Sequence, residues 1–389
     1  MNKKPNKLQN KVLLLFLSII LLSTNVSFAQ NKLKIVQGEE LSIKSTFLKE
    51  DRVVSIFLPA NYETSSQKYP VIYLLDGRTH FQHATSAVNF LSQRGITPQM
   101  IVVAVHNIDR TKDFSPVHDK RMPTSGGAEK FLSFVSDELT KKIDKNYRTS
   151  DFKILMGHSF GGTFAVYSLL TKPEVFNAYI AISPYIHYVD NYLVKEAKKS
   201  LKSKYDNQKY FYMTVGDEPT YFSALAEFYS LVKEKSNNAI NLEYVKMSAE
   251  NHGSIPYLSL FNGLRFIFSD WQLPREMLAQ GLSAIDDHYK NISAKYGFDV
   301  TTPENVINML GYRYLQNKNF ESAIKIFAEN VKRYPKSANV YDSLGEAYEN
   351  NKQLKLAEKN YQKAYDLGVI QLNRNILVYK KNLERVQKK

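Results

Sequence analysis

FKILMGHSFGG, at residues 152–162, is the stretch that decides the fold we expect for this 389-residue chain. It begins as an apolar strand and passes through glycine and serine into helical spacing at 163–170. A serine at a tight strand-to-helix turn takes a strained backbone conformation, and its hydroxyl projects away from the sheet. Bulky neighbours would clash at such a turn, and Gly157 and Gly161 remove those clashes. We therefore predict a nucleophile elbow centred on Ser159.

Strand and helix patterns alternate on both sides of this turn. Short β-branched and apolar runs predict strands at 53–58, 71–75, 101–105, 153–156, 179–182, 211–215 and 242–245. Helical spacing recurs between several of them, at 130–143, 163–170, 221–232 and 256–268. This alternation predicts an α/β protein whose mostly parallel sheet is covered on both faces. Residues 33–49 and 52–58 resemble an antiparallel hairpin at its edge.

The strand signal stops near residue 272, and the rest of the chain has a helical pattern. Leu310, Gly311, Tyr314, Ala323 and Phe327 recur 34 positions later as Leu344, Gly345, Tyr348, Ala357 and Tyr361. This period, with small residues where paired helices touch, is typical of tetratricopeptide repeats. We predict two repeats at 304–371 and a capping helix at 373–387, with a helical junction at 272–303 beneath them. Asn330 and Val369 depart from the repeat pattern.

The first 29 residues predict a secretory signal peptide. Lysines precede an apolar run at 12–22, and Ser27-Phe28-Ala29 places small residues at positions −3 and −1 of a cleavage site before Gln30. The apolar run is short for a bilayer span of about 20 residues. We expect an exported chain, periplasmic or secreted, with no membrane span after cleavage; an uncleaved anchor is the alternative. The α/β domain would then occupy 30–271.

Composition excludes several classes of protein. The absence of cysteine rules out disulfides, thiolate metal sites and a cysteine nucleophile. The formal net charge is +14, and residues 301–389 hold 16 Lys or Arg against 9 Asp or Glu. A basic tail attracts anionic surfaces or partners, although a solvated helical surface has the same composition. We expect no nucleic-acid binding, because no aromatic-interleaved basic motif occurs, and no cofactor, because no metal or nucleotide motif is visible.

A serine nucleophile needs a base within hydrogen-bond reach. His252 follows the strand predicted at 242–245 and is the candidate base. An acid should follow the preceding strand, and we favour Glu218 with Asp217 as the second choice. For the oxyanion hole we expect the backbone amides of Phe160 and Arg78.

Other residues are candidates for the walls of the site. His80 and His83 lie near the expected oxyanion loop and are weak candidates to line the pocket. Tyr185 belongs to the segment 184–204, which forms either a wall over the site or an ordinary crossover helix with exposed tyrosines. Polar residues of the loop at 106–126 are candidates to bind a polar substrate group, namely Arg110, Asp113 and Arg121.

Residues from about 35 to 270 resemble the putative-esterase group of α/β-hydrolases, which includes esterase D-like, enterochelin-esterase-like and mycolyl-transferase-like enzymes. The matching stretches are YPVIYLLDG at 69–77, FLSFVSDELTKKIDKNYR at 131–148, GHSFGG at 157–162 and NHGS at 251–254. The resemblance implies Ser159 as nucleophile, His252 as base and the amides of Arg78 and Phe160 as oxyanion donors. Relatives place the acid where this chain has Pro219, and a one-residue deletion brings Glu218 to that position.

The resemblance implies hydrolysis of a small-molecule carboxylic ester through an acyl-enzyme, on siderophore lactones or acylated saccharides. An acyltransferase on the same machinery is one alternative. The other is a non-catalytic binding protein whose repeats hold a protein or peptide partner. Sequence motifs leave the acyl and alcohol preference open, because specificity lies in loop shape.

Overall fold

The computed structural model describes residues 37–60, 62, 63 and 65–389, so the predicted signal peptide lies outside the described residues. Eight strands form one sheet in the order β1-β2-β4-β3-β5-β6-β7-β8. Their bounds are β1 Glu39–Ser45, β2 Glu50–Phe57, β3 Tyr69–Leu74, β4 Ile101–Val105, β5 Thr149–His158, β6 Ala178–Ile182, β7 Lys209–Val215 and β8 Ile240–Lys246. β2 pairs antiparallel with β1 and β4, and all the other pairs are parallel. The predicted parallel sheet with an antiparallel edge is confirmed.

The helices alternate with the strands and then continue alone. Those of the sheet region are α1 Gly77–Gln93, α2 Arg110–Phe114, α3 Ala128–Ser133, α4 Thr140–Asn146, α5 Phe160–Thr171, α6 Tyr188–Ser200, α7 Pro219–Ser236 and α8 Ile255–Ile267. A π-helical segment, Phe134–Leu139, joins α3 to α4. The C-terminal helices are α9 Met277–Gln280, α10 Leu282–Tyr296, α11 Glu304–Gln316, α12 Phe320–Arg333, α13 Ala338–Asn350, α14 Leu354–Ile370 and α15 Ile376–Val386. In the part of the chain that the structure describes, no helix has the length and apolarity needed to cross a bilayer.

The central strands are apolar along their whole length because helices cover both faces of the sheet. Every residue of β3, β4 and β6 is buried. On one face the strands pack against α5 through Phe164 and its neighbours. On the other face they pack against α1 and α8, with Leu91 and Leu264 in the same core. These two cores pack against the two faces of the sheet, so the loops at the strand ends are anchored to a fixed framework.

The order of the strands creates a crevice at one edge of the sheet. β3 lies between β4 and β5, so the chain leaves β3 toward one side and later returns to its other side. In open α/β sheets, ligands bind outside the carboxyl ends of the strands at such a switch point. The turns that follow β3 and β5 are residues 75–78 and 158–160. The elbow and the predicted oxyanion loop therefore meet at this crevice.

The C-terminal helices form hairpins that stack on the sheet region through α10. Ile292 and Tyr296 of α10 enter the core beside α8. Ile285 and Tyr289, on the same helix, pack against α11. In the hairpin of α13 and α14, a Cβ on Gly345 would lie 2.7 Å from Tyr361, and Gly311 faces Phe327 in the same way one hairpin earlier. The 34-residue spacing thus corresponds to close helix contacts, and the expected helical region is confirmed.

Candidate active site

Ser159 occupies the turn between β5 and α5 in a strained conformation. Its φ of 58° and ψ of −120° lie in a region that L-residues other than glycine rarely adopt. Backbone bonds hold the turn, since the Ser159 N–H donates to the Ile182 carbonyl at 2.8 Å and the Thr163 N–H donates to the Ser159 carbonyl at 2.9 Å. Ser159 is partly exposed. The serine is thus presented at the crevice.

The glycines around Ser159 differ in what they make possible. A Cβ on Gly157 would lie 2.9 Å from the Cα of Gly161, which no side chain tolerates. A Cβ on Gly161 would meet the Asp76 carboxylate at 3.2 Å, a tight but milder contact. Gly162, which the sequence did not single out, would place a Cβ 2.9 Å from the Ile182 carbonyl oxygen. The close approach of α5 to β6 therefore requires glycine at 162, and the tight turn from β5 into α5 requires glycine at 157.

His252 follows β8 and forms a hydrogen-bonded pair with Glu218. Its Nδ1 lies 2.5 Å from Oε1 of Glu218. A turn fixes the histidine, because Asn251 accepts hydrogen bonds from the N–H groups of Gly253 and Ser254. Since a carboxylate is an acceptor only, Nδ1 carries the proton and Nε2 is left as the acceptor. That tautomer is the one a general base requires.

Glu218 is held more firmly than a solvated acid would be. Its Oε2 accepts hydrogen bonds from the Ser183 hydroxyl at 2.5 Å and from the Gly216 N–H at 3.1 Å. Its side chain is 9% exposed, against 43% for the His252 side chain. Asp217, the second choice, is exposed, and its N–H donates to the Glu250 carbonyl. The structure therefore brings Glu218, and not Asp217, to the imidazole.

Ser183 was missed in the sequence. It follows β6 directly, at the same edge of the sheet, and has a positive φ of 41°. The strained turn directs its hydroxyl to Glu218. A single serine after a strand is not a recognisable motif. The one signal that could have found it is its position directly after a strand that ends at the site.

The base and the elbow lie next to each other. The imidazole of His252 is 4.5 Å from the imidazole of His158, centre to centre, and His158 directly precedes the nucleophile. Two more imidazoles continue this row behind the elbow. The ring of His80 lies 5.8 Å from that of His158, and the ring of His83 lies 5.1 Å from that of His80. Burial lowers the pKa of His158 to about 3 and that of His83 to about 4, and it also lowers the pKa of His80. These imidazoles are neutral near pH 7.

His80 packs behind the site and does not line it. Only 5% of His80 is exposed, so it has little surface that a substrate could contact, contrary to the expectation that it lines the pocket. His83 is partly exposed and touches the ring of Tyr257 at 5.9 Å. The neutral rings form a dense backing for the elbow without adding charge.

The two expected oxyanion donors lie in the first turns of neighbouring helices. Phe160 is the first residue of α5, and Arg78 is the second residue of α1. N–H groups in a first helical turn have no acceptor within the helix. Thr79 and His80 donate to the Asp76 carbonyl, so these two later amides are engaged. Because β3 and β5 pair in parallel, the structure brings both helix N-termini to the crevice.

Asp76 and Arg110 tie the oxyanion loop to the elbow. The Arg110 Nε donates to Oδ1 of Asp76 at 2.7 Å, and its Nη2 donates to the His158 carbonyl at 2.8 Å. Asp76 is 7% exposed and also accepts a hydrogen bond from Asn107. Arg110 was expected to contact substrate, but its guanidinium is engaged in this brace. The brace fixes the spacing between the two turns.

The two other expected residues of the loop at 106–126 differ in burial: Asp113 is buried and Arg121 is exposed. Asp113, also expected to contact substrate, is fully buried in an ion pair with Arg52 at 2.7 Å, so that expectation was wrong. Arg121 is 76% exposed and pairs with Asp119. It also interacts electrostatically with Tyr185 and Tyr188. Of the three expected loop residues, Arg121 remains accessible.

Aromatic rings form a wall from Phe160 to His252. Tyr185 lies 5.8 Å from Phe160 and 5.9 Å from Tyr221, and Tyr221 lies 6.2 Å from His252, all centre to centre. Tyr188 is buried beneath them, and its hydroxyl donates to the Val117 carbonyl. The segment 184–204 therefore contributes a wall as well as the helix α6. Tyr221, at the start of α7, was missed because one tyrosine in an amphipathic helix is not distinctive.

The described residues hold no group of three or more His, Asp or Glu side chains arranged to bind a metal ion. What the geometry offers instead is a serine, an oriented imidazole, a held carboxylate and two helix N-termini. Together these are the parts needed for nucleophilic attack on a carbonyl carbon.

Comparison with known proteins agrees with this geometry. The family model described as Putative esterase matches residues 45–265. Ferri-bacillibactin esterase BesA of Bacillus subtilis is 28% identical over 260 residues, which is 59% of this chain and 90% of that protein. Siderophore triacetylfusarinine C esterase of Aspergillus fumigatus is 25% identical over 273 residues, covering 58% and 92%. The structure of an IroE-like serine hydrolase from Shewanella oneidensis superimposes with a TM-score of 0.63 at 27% identity, covering 72% of this chain and 95% of that one.

Proposed function

Since the chain belongs to the Putative esterase family of ester hydrolases, we propose that it cleaves carboxylic esters through a serine acyl-enzyme. The observation that carries the proposal is the Glu218–His252 pair set beside the elbow that presents Ser159. An imidazole held in this tautomer accepts a proton, and a strained, partly exposed serine supplies one.

In the first half of the reaction, the Ser159 Oγ attacks the ester carbonyl carbon while Nε2 of His252 takes its proton. The oxyanion of the tetrahedral intermediate is stabilised by the amides of Phe160 and Arg78, each worth about 3–4 kcal/mol in such sites. The intermediate collapses to the acyl-enzyme, and His252 returns the proton to the leaving alkoxide. A water activated by His252 then attacks the acyl carbon, which releases the acid and regenerates the serine.

Glu218 acts in both halves by holding Nδ1–H of His252 and stabilising the imidazolium that forms. Ser183 and Gly216 hold the carboxylate in turn. The brace of Asp76 and Arg110 keeps the oxyanion donors at a set spacing from the nucleophile. Each of these residues is a positioning residue for the atoms that react.

We propose siderophore lactones as the substrate class. The named relatives act on siderophores. The aromatic wall offers ring faces and edges for an aromatic acyl group to pack against, and the exposed Arg78 and Arg121 offer positive charge to its oxygens. Acylated saccharides are the other outcome that a substrate panel would reveal.

We also propose that residues 1–29 are an export signal and that α11–α14 are two tetratricopeptide repeats, capped by α15. The N-terminal sequence pattern supports the first assignment, and the 34-residue recurrence of the close contacts at Gly311 and Gly345 supports the second. Stacked hairpins form a concave surface that suits a peptide or protein partner.

The test is an ester panel comprising esters of graded acyl length, a catechol trilactone and a feruloyl sugar. Wild type, Ser159→Ala and the matched control Ser269→Ala, an exposed serine beyond the C-terminal end of α8, are compared. We expect Ser159→Ala to lose at least about 1,000-fold in kcat while Ser269→Ala is unchanged. Activity that persists in Ser159→Ala would overturn the assignment of the nucleophile. Transfer of the acyl group to an added alcohol in preference to water would indicate an acyltransferase.

A fluorophosphonate probe separates the enzyme from a non-catalytic binding protein. We expect wild type to be labelled once, at Ser159, because the probe reacts only with an activated serine. Absence of labelling in the folded chain would favour the binding protein.

A further inference from the structure

The connection between the last two helices exposes an unusual amount of apolar surface. α14 ends at Ile370 and α15 begins at Ile376. Around this turn, five apolar side chains are between 44% and 90% exposed. They are Val369, Ile370, Leu372, Leu377 and Val378, and we call residues 369–378 the apolar tip. Exposed leucines are common singly, but a cluster of this kind marks an interaction surface.

The apolar tip stands on a packed base. Leu372 takes a positive φ of 49°, which turns the chain, and the Asn373 N–H donates to the Gly368 carbonyl. A Cβ on Gly368 would lie 3.0 Å from the ring of Tyr379, which is 2% exposed. Close packing below the turn therefore fixes its backbone, which holds these apolar residues at the surface.

Positive charge lies within the apolar tip and directly after it. Residues 367–383 contain no aspartate or glutamate, and their charged residues are Arg374, Lys380 and Lys381, all exposed. Lys380 also pairs with Glu384 at 3.8 Å, which leaves Arg374 and Lys381 as the cations without an acidic partner among the described ion pairs of this region. Apolar side chains next to a cluster of cations are typical of segments that lie in the interface of an anionic membrane. A two-fold contact with a second copy would instead bring these like charges together. Charge complementarity therefore favours a lipid surface.

We propose that the apolar tip inserts into the interface of an anionic lipid bilayer, with Arg374, Lys380 and Lys381 at the headgroups. The contact is peripheral, because the inserted part is a turn and not a spanning helix. It adds a second property, membrane attachment, to ester hydrolysis. It also accounts for the basic charge of the C-terminal helices, which ester hydrolysis does not explain.

The absence of cysteine allows a local test in the full chain. Leu377→Cys carries an environment-sensitive nitrobenzoxadiazole label, and Met309→Cys, on α11 and 48% exposed, carries the control label. With phosphatidylglycerol vesicles we expect a blue shift and brighter emission at position 377 and no change at 309. With phosphatidylcholine vesicles the shift at 377 should be much weaker. Because the readout is local, binding through residues 1–36 does not produce it.

Variants in the labelled Leu377→Cys chain separate the two parts of the tip. Replacing the three cations by glutamine should weaken partitioning about 100-fold, since each contributes about fivefold at an anionic surface. Replacing Ile370 and Leu372 by serine should also abolish the blue shift. A charge-matched control carries glutamine at Lys142, Lys145 and Lys235, all exposed, and should partition within threefold of the parent chain.

Several results would overturn the proposal. These are no shift at 377 with anionic vesicles, an equal shift with phosphatidylcholine, or unchanged partitioning in either tip variant. A shift that depends on protein concentration without lipid would assign the tip to a second copy of the chain. Ester hydrolysis in solution is measured in parallel, so failure of this proposal is distinguishable from failure of the esterase assignment.

Discussion

Replacing Glu218 by glutamine gives a sharp test of the site, because the neighbouring Asp217 is a matched control. Both carboxylates follow β7, but only Glu218 reaches His252, at 2.5 Å. Asp217 is exposed to solvent. The pair Glu218→Gln and Asp217→Asn therefore removes one negative charge from the same loop with and without the contact to the imidazole.

The bonds around Glu218 predict which way a glutamine would face. At the Oε2 position, the Gly216 N–H can only donate, so the amide oxygen must occupy that position. The amide NH2 then takes the Oε1 position and donates to Nδ1 of His252. That forces the ring proton onto Nε2, and an Nε2–H group cannot accept the serine proton. The substitution keeps the shape of the site but reverses the tautomer.

A reversed tautomer in a Ser-His-acid arrangement costs about 10,000-fold in kcat, which corresponds to about 5.4 kcal/mol of transition-state stabilisation. We expect this loss in Glu218→Gln with little change in KM, because the carboxylate does not line the aromatic wall. Asp217→Asn should stay within about twofold of wild type. Steady-state hydrolysis of an activated ester measures both, with thermal melting as the check on folding.

A kcat of Glu218→Gln within tenfold of wild type would refute this reasoning, and the site would then work with a Ser–His pair alone. Equal losses in Glu218→Gln and Asp217→Asn would mean that the charge of the loop matters and not the contact with Nδ1.

Three further predictions concern the elbow and its supports. Arg110→Met should lower kcat/KM about 10–100-fold with a smaller change in KM, because the hydrogen bonds that link Asp76 to the His158 carbonyl are lost. Steady-state kinetics on the same ester measure this loss. A change in KM with kcat unaltered would contradict the prediction. Gly162→Ala should destabilise the fold by about 1–3 kcal/mol, since its Cβ would press on the Ile182 carbonyl; urea unfolding measures this, and an unchanged midpoint would be evidence against the contact. His158 is buried neutral with a pKa of about 3, so the unfolded chain binds more protons below its ordinary pKa of 6.5, and stability falls as pH drops from 6.5 toward 3. His158→Gln should reduce that fall by up to about 1.4 kcal/mol per pH unit, as measured by urea unfolding at pH 7 and 4.5, and an unaltered slope would disprove the assignment.

Local patterns predicted most of the elements but not all of them. The apolar runs at 71–75 and 101–105 correspond to β3 and β4, because strands buried on both faces must be continuously apolar. The helix α1 at Gly77–Gln93 was not predicted. Its N-cap residue, Asp76, has a left-handed backbone and makes no capping hydrogen bond with its side chain, so the usual pattern of a helix start is missing. The junction helix is interrupted at Gly281, where φ is 91°.

The candidate site divides in the same way. The elbow motif and the histidine after the last strand are short-range patterns, and the structure places both residues that they indicate, Ser159 and His252, at one edge of the sheet. Ser183, Tyr221 and the brace through Arg110 were not assigned these roles, because each acts on a residue that is distant in sequence. Asp113 has the composition of a substrate-binding loop residue, yet its partner Arg52 lies in β2 and draws it into the interior.

The pattern of amino acids was enough to predict where the backbone turns tightly, which runs are buried and which residue types are able to react, since these depend on neighbours a few positions apart. It is the three-dimensional packing that places β3 between β4 and β5, turns Glu218 toward the imidazole while Asp217 faces water, and leaves the apolar residues near 370 uncovered. Those outcomes depend on the order of strands and the stacking of helices, which bring together groups that no local pattern relates.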